Sequence, residues 1–261
     1  MKVLFIGDIV GETGRKALKE GLLKLIERLK IDFVIANAEN AAGGFGITKS
    51  IGEEIFSFGV NVLTSGNHIW DKKEAVTYIV KENRLLRPAN YPEDVPGYGS
   101  IVAITSSGEK IGVLNISGRV FMTQIDCPFQ ASKREIPKLK EQAKVIIVDF
   151  HAEATSEKSA FGWFLDGKVS AVIGTHTHVQ TADETILPNG TAFITDVGMT
   201  GPTNSVIGIK KEQIIGKFLT SMPLRFETAK GVSVLSAVVI DIDSKTGTST
   251  NIQRLQLKFP S

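Results

Sequence analysis

The sequence predicts an α/β fold in a single domain, and three observations carry that prediction. Short, wholly apolar runs end abruptly in Gly, Asp, Asn or His; amphipathic stretches with a period near 3.6 stand between them; and no linker, repeat or low-complexity tract divides the chain. With 261 residues, 42% of them hydrophobic, the chain is long enough to bury one large core.

Val3 to Ile6 is an apolar run of the kind found in buried parallel strands, closed by Gly7 and Asp8. Over residues 14–30, Ala17, Leu18, Leu22, Leu25, Ile26 and Leu29 fall on one face, which predicts an amphipathic helix. Phe33 to Ala36 repeats the strand pattern and runs into Asn37, Glu39 and Asn40, followed by a glycine-rich loop at 41–46. A helix is expected over 50–58 and a strand over 60–63, ending in Ser65-Gly66-Asn67-His68. A further helix should run from an N-cap at Asp71 to about Glu82. This rhythm implies right-handed crossovers and a parallel sheet whose strand ends open on one edge, where ligand sites belong.

Three prolines and a glycine between Arg87 and Gly99 predict an ordered loop. Residues 100–104 and 110–114 flank Ser106-Ser107-Gly108 as a hairpin, so the sheet turns antiparallel there. A helix is expected over 133–143, which Pro137 would restrict to a first turn or start late. A buried strand at 145–148 leads to His151; a helix at about 156–166 and a strand at 169–173 follow. The remainder reads as a hairpin turning at Pro188-Asn189-Gly190, a helix at about 211–219, and strands at 232–242 and 252–259. The expected whole is a pair of packed sheets with helices outside.

Thirty basic and 28 acidic side chains leave a net charge of +2, so no strong field marks the surface for nucleic acid or an anionic membrane. A polyanionic substrate must be recognised locally. The single Cys127 excludes an internal disulfide framework and a cysteine-based zinc site. Asp126 and Pro128 flank it, so nothing nearby would activate it as a nucleophile. The four-residue apolar run at the N-terminus is neither signal peptide nor membrane span, and a cytoplasmic protein is the expectation.

The chain holds four histidines, and all of them stand just after apolar strand-like runs. In Val172 to His178 two of them alternate, and in an extended segment residues i and i+2 point the same way. Collected at strand ends are Asp8, Glu39, Asn40, Asn67, His68, His151, His176 and His178. Carboxylate, amide oxygen and imidazole are what divalent transition ions prefer. One zinc ion would need only three or four of these groups, whereas two ions about 3.5–4 Å apart, bridged by a carboxylate and a hydroxide, would use nearly all. A lone Asp after a strand is more often a helix cap, and a lone buried His a satisfied core residue. Eight such residues at five strand ends are poorly explained that way. Gly7 to Gly14 matches neither the spacing of a dinucleotide-binding loop nor that of a P-loop, and Asp8 and Glu12 would repel a phosphate.

Gly7-Asp8, Glu39-Asn40, Gly66-Asn67-His68, His151 and Gly174 to His178 resemble, in order, the motif blocks of calcineurin-like metallophosphoesterases. The superfamily usually carries a His where Val10 stands, and one ligand is thereby missing. The similarity is greater to the YmdB-like branch, which also lacks that His, and it extends through Ile147 to Ser156, Gly162-Trp163, Thr175 to Asp183 and Asp196 to Pro202.

The resemblance implies a four-layer α/β/β/α sandwich with two mixed sheets. It also implies two divalent or mixed-valence transition-metal ions, iron first with manganese or zinc as alternatives, and a homo-oligomer. In the chemistry it implies, Asp8, Glu39 and His178 hold one ion, with Asn40 in place of the absent His. Glu39 bridges to a second ion held by Asn67, His151 and His176. A metal-bridging hydroxide then attacks a cyclic nucleotide in line, and His68 protonates the leaving alkoxide. Arg119 and the loop from Thr200 to Asn204 are weak candidates for substrate contacts. Two alternatives remain open: a phosphomonoesterase or RNA phosphodiesterase on the same site, and a non-catalytic metal-dependent regulatory protein.

Overall fold

The structure, a computed structural model, describes residues 1–260 and places the chain in two sheets packed face to face. In β1 (Lys2–Ile6) the pleat sends Val3 and Phe5 to one face and Leu4 and Ile6 to the other, all fully buried. The short β2 (Asp8–Ile9) leads into α1 (Gly11–Leu29), and β3 (Phe33–Asn37), α2 (Lys49–Ser57), β4 (Val62–Thr64) and α3 (Lys73–Lys81) follow. The hairpin of β5 (Ser100–Ile104) and β6 (Lys110–Ser117) opens the second half, which continues through α4 (Pro128–Lys140), β7 (Val145–His151), α5 (Thr155–Leu165) and β8 (Ala171–Thr175). Then come β9 (Thr185–Ile186), β10 (Ala192–Ile194), β11 (Met199–Pro202), α6 (Lys211–Thr220), β12 (Ser233–Ile242) and β13 (Ser249–Phe259).

The first sheet runs β2-β11-β12-β1-β3-β4, with β13 also on β12, and the second runs β5-β6-β7-β8-β10-β9. Both are mixed. In the first, β1 pairs with β3 in parallel and with β12 in antiparallel; in the second, β6, β7, β8 and β10 are parallel and the edges antiparallel. Three apolar layers separate the elements. Leu18, Leu22 and Leu25 of α1 and Ile55 of α2 cover Leu4, Val34 and Leu63. Phe5, Ile35, Val238, Ile147 and Ile173 fill the space between the sheets. Ile136 and Phe161, from α4 and α5, cover Val148 and Val172. The expected α/β/β/α sandwich is thereby borne out.

Several local expectations need correction. Asp71 does not cap α3: the cap position is Lys72, which makes no side-chain cap bond, and the Asp71 carboxylate is engaged by His68. Pro137 neither starts nor ends α4, which begins at Pro128, where a fixed φ suits the first turn, and continues past Pro137 to Lys140. Thr200 to Pro202 belong to β11, and the Thr200 hydroxyl bonds the Ser236 carbonyl, so this stretch is sheet rather than a substrate loop. His176 and His178 lie beyond the end of β8 with φ of 100° and 67°, so the extended geometry expected for them does not apply. They are brought to one place by two left-handed residues instead, a costly conformation for a side chain with a β-carbon.

Candidate metal centre

Five strand ends deliver the site. Asp8 follows β1, Glu39 and Asn40 follow β3, Asn67 and His68 follow β4, His151 closes β7, and His176 and His178 follow β8. The carboxyl edges of the two sheets meet here, as the Asn37 amide of β3 donates to Asp149 of β7 at 3.0 Å. Close approach is enforced at Gly66, where a β-carbon would stand 2.1 Å from the His151 ring and 2.5 Å from the Glu39 carboxylate. Gly174 does the same for the last strand, since a β-carbon there would collide with the Thr195 carbonyl.

Two groups of ligand atoms result. His151 Nε2 lies 3.1 Å from Glu39 Oε1, 3.1 Å from Asn67 Oδ1 and 3.0 Å from His176 Nδ1. One ring nitrogen can offer at most one proton to these partners, so a cation among them satisfies the set better than hydrogen bonding does. In the second group, Asp8 Oδ1 is buried without a hydrogen-bond partner and faces His178 Nε2 at 3.9 Å. A buried carboxylate oxygen left in that state is costly. Asn40 Nδ2 stands between the groups, 3.1 Å from Glu39 Oε1 and 3.2 Å from His178 Nε2; turning the amide over would present its oxygen instead. Oxygen and imidazole donors in this mixture fit divalent Fe, Mn or Zn.

The charges agree with this grouping. Burial raises the Asp8 carboxyl above its ordinary range, partly offset by His178 and His151. At Glu39 burial is outweighed by His151, which holds the carboxyl down at about 2. At His151 burial opposes the charge, yet Glu39 raises the imidazole to about 9. Burial and the neighbouring His151 push His176 down to about 3, so at neutral pH it is an uncharged imidazole, the form that ligates metal.

Each histidine of the cluster is held by its far nitrogen. His151 Nδ1 meets the Thr175 hydroxyl at 2.9 Å, His176 Nε2 meets Glu153 at 3.0 Å, and His178 Nδ1 donates to the Ile207 carbonyl at 2.8 Å. Behind the turn, the buried Lys158 ammonium bonds Asp196 at 2.6 Å and the Thr175 carbonyl at 2.7 Å, while Asp196 accepts from the Thr177 backbone and hydroxyl. Asp149 accepts from Asn37, Thr64 and Thr175, and burial lifts its carboxyl to about 7. The sequence reading missed Glu153, Thr175, Lys158 and Asp196 in these roles, because acids, hydroxyls and lysines scattered along a chain have no spacing that announces a partner.

His68 stands beside the cluster. Its backbone N–H donates to Glu39 Oε2 at 3.1 Å, its Nδ1 meets Asp71 at 2.8 Å, and the Phe45 ring lies edge-on to it at 5.1 Å. A cleft of about 220 Å³ opens over these groups, with His68 and Glu153 at its rim and Val10, Phe45, Ile207 and Ile209 as apolar walls. Val10 is thus a wall residue. Arg119 lies in another groove, with Gln124 and Asp126.

The description "YmdB-like protein" matches residues 4–255. The chain belongs to the YmdB-like family. It is 49% identical over 255 residues to the 2′,3′-cyclic-nucleotide 2′-phosphodiesterase of Bacillus subtilis strain 168, covering 98% of this chain and 96% of that one. A crystal structure of a hypothetical protein from Thermus thermophilus superposes over 100% of both chains with a TM-score of 0.93 and 40% identity. That of a novel phosphatase from Mycoplasma pneumoniae covers 99% of this chain and 93% of its own, with a TM-score of 0.92 and 37% identity. Family membership expected from the motif blocks is borne out, and the expected class of enzyme, a phosphoester hydrolase, agrees with these relatives. Among the described residues no helix is long and apolar enough to cross a membrane.

Proposed function

We propose that the protein is a dinuclear-metal phosphodiesterase acting on cyclic nucleotides, 2′,3′-cyclic ones in the first place and 3′,5′-cyclic ones as the alternative. The observation that carries this reading is the convergence of Glu39, Asn67 and His176 on His151 Nε2, beside an Asp8 oxygen that has no other partner. The 2′,3′-cyclic-nucleotide activity named for the Bacillus relative directs the choice of substrate. Asp8, His178 and Asn40 would hold one ion, Asn67, His151 and His176 the other, and Glu39 both. When bound, such ions neutralise phosphoryl charge and make water nucleophilic at neutral pH. Iron is the first candidate, with manganese or zinc next.

The chain's own residues supply the rest. Asp71 engages His68 Nδ1, which leaves Nε2 to carry the proton that the departing ribose oxygen needs. The apolar walls at Val10, Phe45, Ile207 and Ile209 restrict water around the reacting phosphate and offer surfaces to sugar and base. With no large basic groove, the nucleotide is held mainly by its phosphate.

Metal-depleted protein reloaded with Mn²⁺ and assayed on 2′,3′-cyclic AMP, 3′,5′-cyclic AMP, bis-p-nitrophenyl phosphate and p-nitrophenyl phosphate tests this reading. Turnover of a cyclic nucleotide and the synthetic diester is expected. Good turnover of the monoester with both cyclic nucleotides untouched would replace the diesterase by a phosphomonoesterase, the second reading that the Mycoplasma phosphatase favours.

The partner proposed is a second copy of the chain, packed on α6. No residue of that helix is buried, and Ile215, Phe218 and Leu219 stand 52%, 83% and 81% exposed on one stripe. Half-buried Ile214, and Gln213 accepting from the Glu227 N–H, anchor one face of the helix to its own chain, and a second copy would cover the apolar stripe left on the other. Glu212 near its start and Lys217 in its last turn would face opposite charges in an antiparallel pair of such helices.

A further inference from the structure

Asp149 touches no atom of the ligand cluster except through an intermediary, and the mechanism leaves it without a task. It is nevertheless fully buried at the seam between the sheets, and three side chains from three strands converge on it. Asn37 of β3 donates its amide to Oδ2 at 3.0 Å, Thr64 of β4 donates its hydroxyl to the same oxygen, and Thr175 of β8 meets Oδ1 at 2.7 Å. Thr175 Oγ1 is in turn 2.9 Å from His151 Nδ1.

Proton counting gives this chain a direction. Asn37 Nδ2 can only donate, and with Thr64 it commits Oδ2 as an acceptor. With a cation bound at the cluster Asp149 would be ionised and accept at Oδ1 as well, so the single hydroxyl proton of Thr175 would point to Asp149. Thr175 Oγ1 then has only lone pairs left for His151, so once a cation takes the place of the second ring proton, the proton that remains must sit on Nδ1. Nε2 is thereby freed of a proton at the very point where Glu39, Asn67 and His176 converge.

We propose that Asp149 is a positioning residue of the metal centre, acting through the Thr175 hydroxyl to keep the His151 proton on Nδ1 and to present Nε2 as a ligand. The inference rests on the metal-binding reading given above. It also explains Asn37, which bonds the Glu39 backbone N–H through Oδ1 at 3.1 Å and Asp149 through Nδ2, so that two ligands from opposite sheets share one support. Partners that orient a ligating histidine are typically worth about 10–100-fold in metal affinity.

Two substitutions separate this role from simple packing. Thr175→Val keeps the volume but removes the relay, and Thr175→Ser restores the hydroxyl. In Asp149→Asn the amide oxygen must stay at the Oδ2 position to satisfy Asn37 and Thr64. The NH₂ group then faces Thr175, turns its proton onto His151 Nδ1 and sends the ring proton to Nε2. Zn²⁺ affinity is measured by chelator competition, and the His151 tautomer by ¹⁵N spectra of the zinc-loaded proteins. Expected is a loss of roughly 10–100-fold for Thr175→Val and at least as much for Asp149→Asn, with Thr175→Ser within about threefold of wild type. Wild-type spectra should show Nδ1–H and a metal-bound Nε2.

Zn²⁺ affinity of Thr175→Val within about threefold of wild type, or a wild-type His151 protonated on Nε2, overturns the proposal. If Asp149→Asn fails to fold, the Thr175 pair decides. A wild-type protein that binds no zinc would instead sink the metal reading itself.

Discussion

His151 Nε2 and Glu39 Oε1 stand 3.1 Å apart although they come from different sheets, one closing β7 and the other following β3. The contact ties the two halves of the sandwich together at the point where both carry their candidate ligands. Glu39 also accepts from the Asn40 amide, which in turn reaches His178 of the second group, and from the backbone of His68; this is the contact pattern that the proposed bridge between two ions rests on.

Glu39→Ala should therefore lower occupancy of both ions, not of one. Elemental analysis of reconstituted protein checks this against wild type, for which about two ions per chain are expected. Loss of a single ion, with the other retained in full, would show that Glu39 does not bridge.

His68 and His176 should fail in different ways. His176→Ala removes a ligand, and metal content and turnover should fall together. His68→Ala should keep both ions and cost roughly 10²–10⁴-fold in turnover of a cyclic nucleotide. The loss should shrink on bis-p-nitrophenyl phosphate, whose leaving group departs without a proton. Equal losses on both substrates would make His68 a phosphate orienter instead.

The buried Lys158–Asp196 pair sets the shape of the turn that carries His176 and His178. Lys158→Met strands a carboxylate at a site with no access to water and should destabilise the fold by roughly 3–5 kcal/mol in urea unfolding. A loss under about 1 kcal/mol would mean that Asp196 finds other donors, or water, in the variant.

Phe218→Glu places a charge in the middle of the exposed α6 stripe. Sedimentation should show an assembly for wild type and monomer for the variant, with the metal content of the chain retained. An assembly unaffected by the change would place the interface elsewhere.

The strands of the core were legible because their apolar runs are flanked by sharp polar stops, and the eight strand-end residues were legible for the same reason. Val3 to Ile6 is apolar at every position, as a strand covered on both faces must be, and a parallel sheet needs its chemistry at the carboxyl edge. What eluded the sequence lay in tertiary pairing. Asp71 carries every local feature of an N-cap, yet His68 three residues earlier competes for it and wins. The turn after β8 has no glycine between Thr175 and Gln180 and still adopts two left-handed residues, because Lys158 and Asp196, distant in sequence, hold it. β11 could not be read as a strand, since a short segment containing Gly201 and Pro202 has the composition of a turn.

The most direct measurement is the initial rate of 2′,3′-cyclic AMP hydrolysis as Mn²⁺ is titrated into metal-depleted protein. The rate should start near zero, rise to a plateau at about two equivalents per chain and vanish again on chelation. A rate that does not depend on added metal, or no hydrolysis at any metal content in protein that demonstrably binds two ions, would contradict a dinuclear phosphodiesterase.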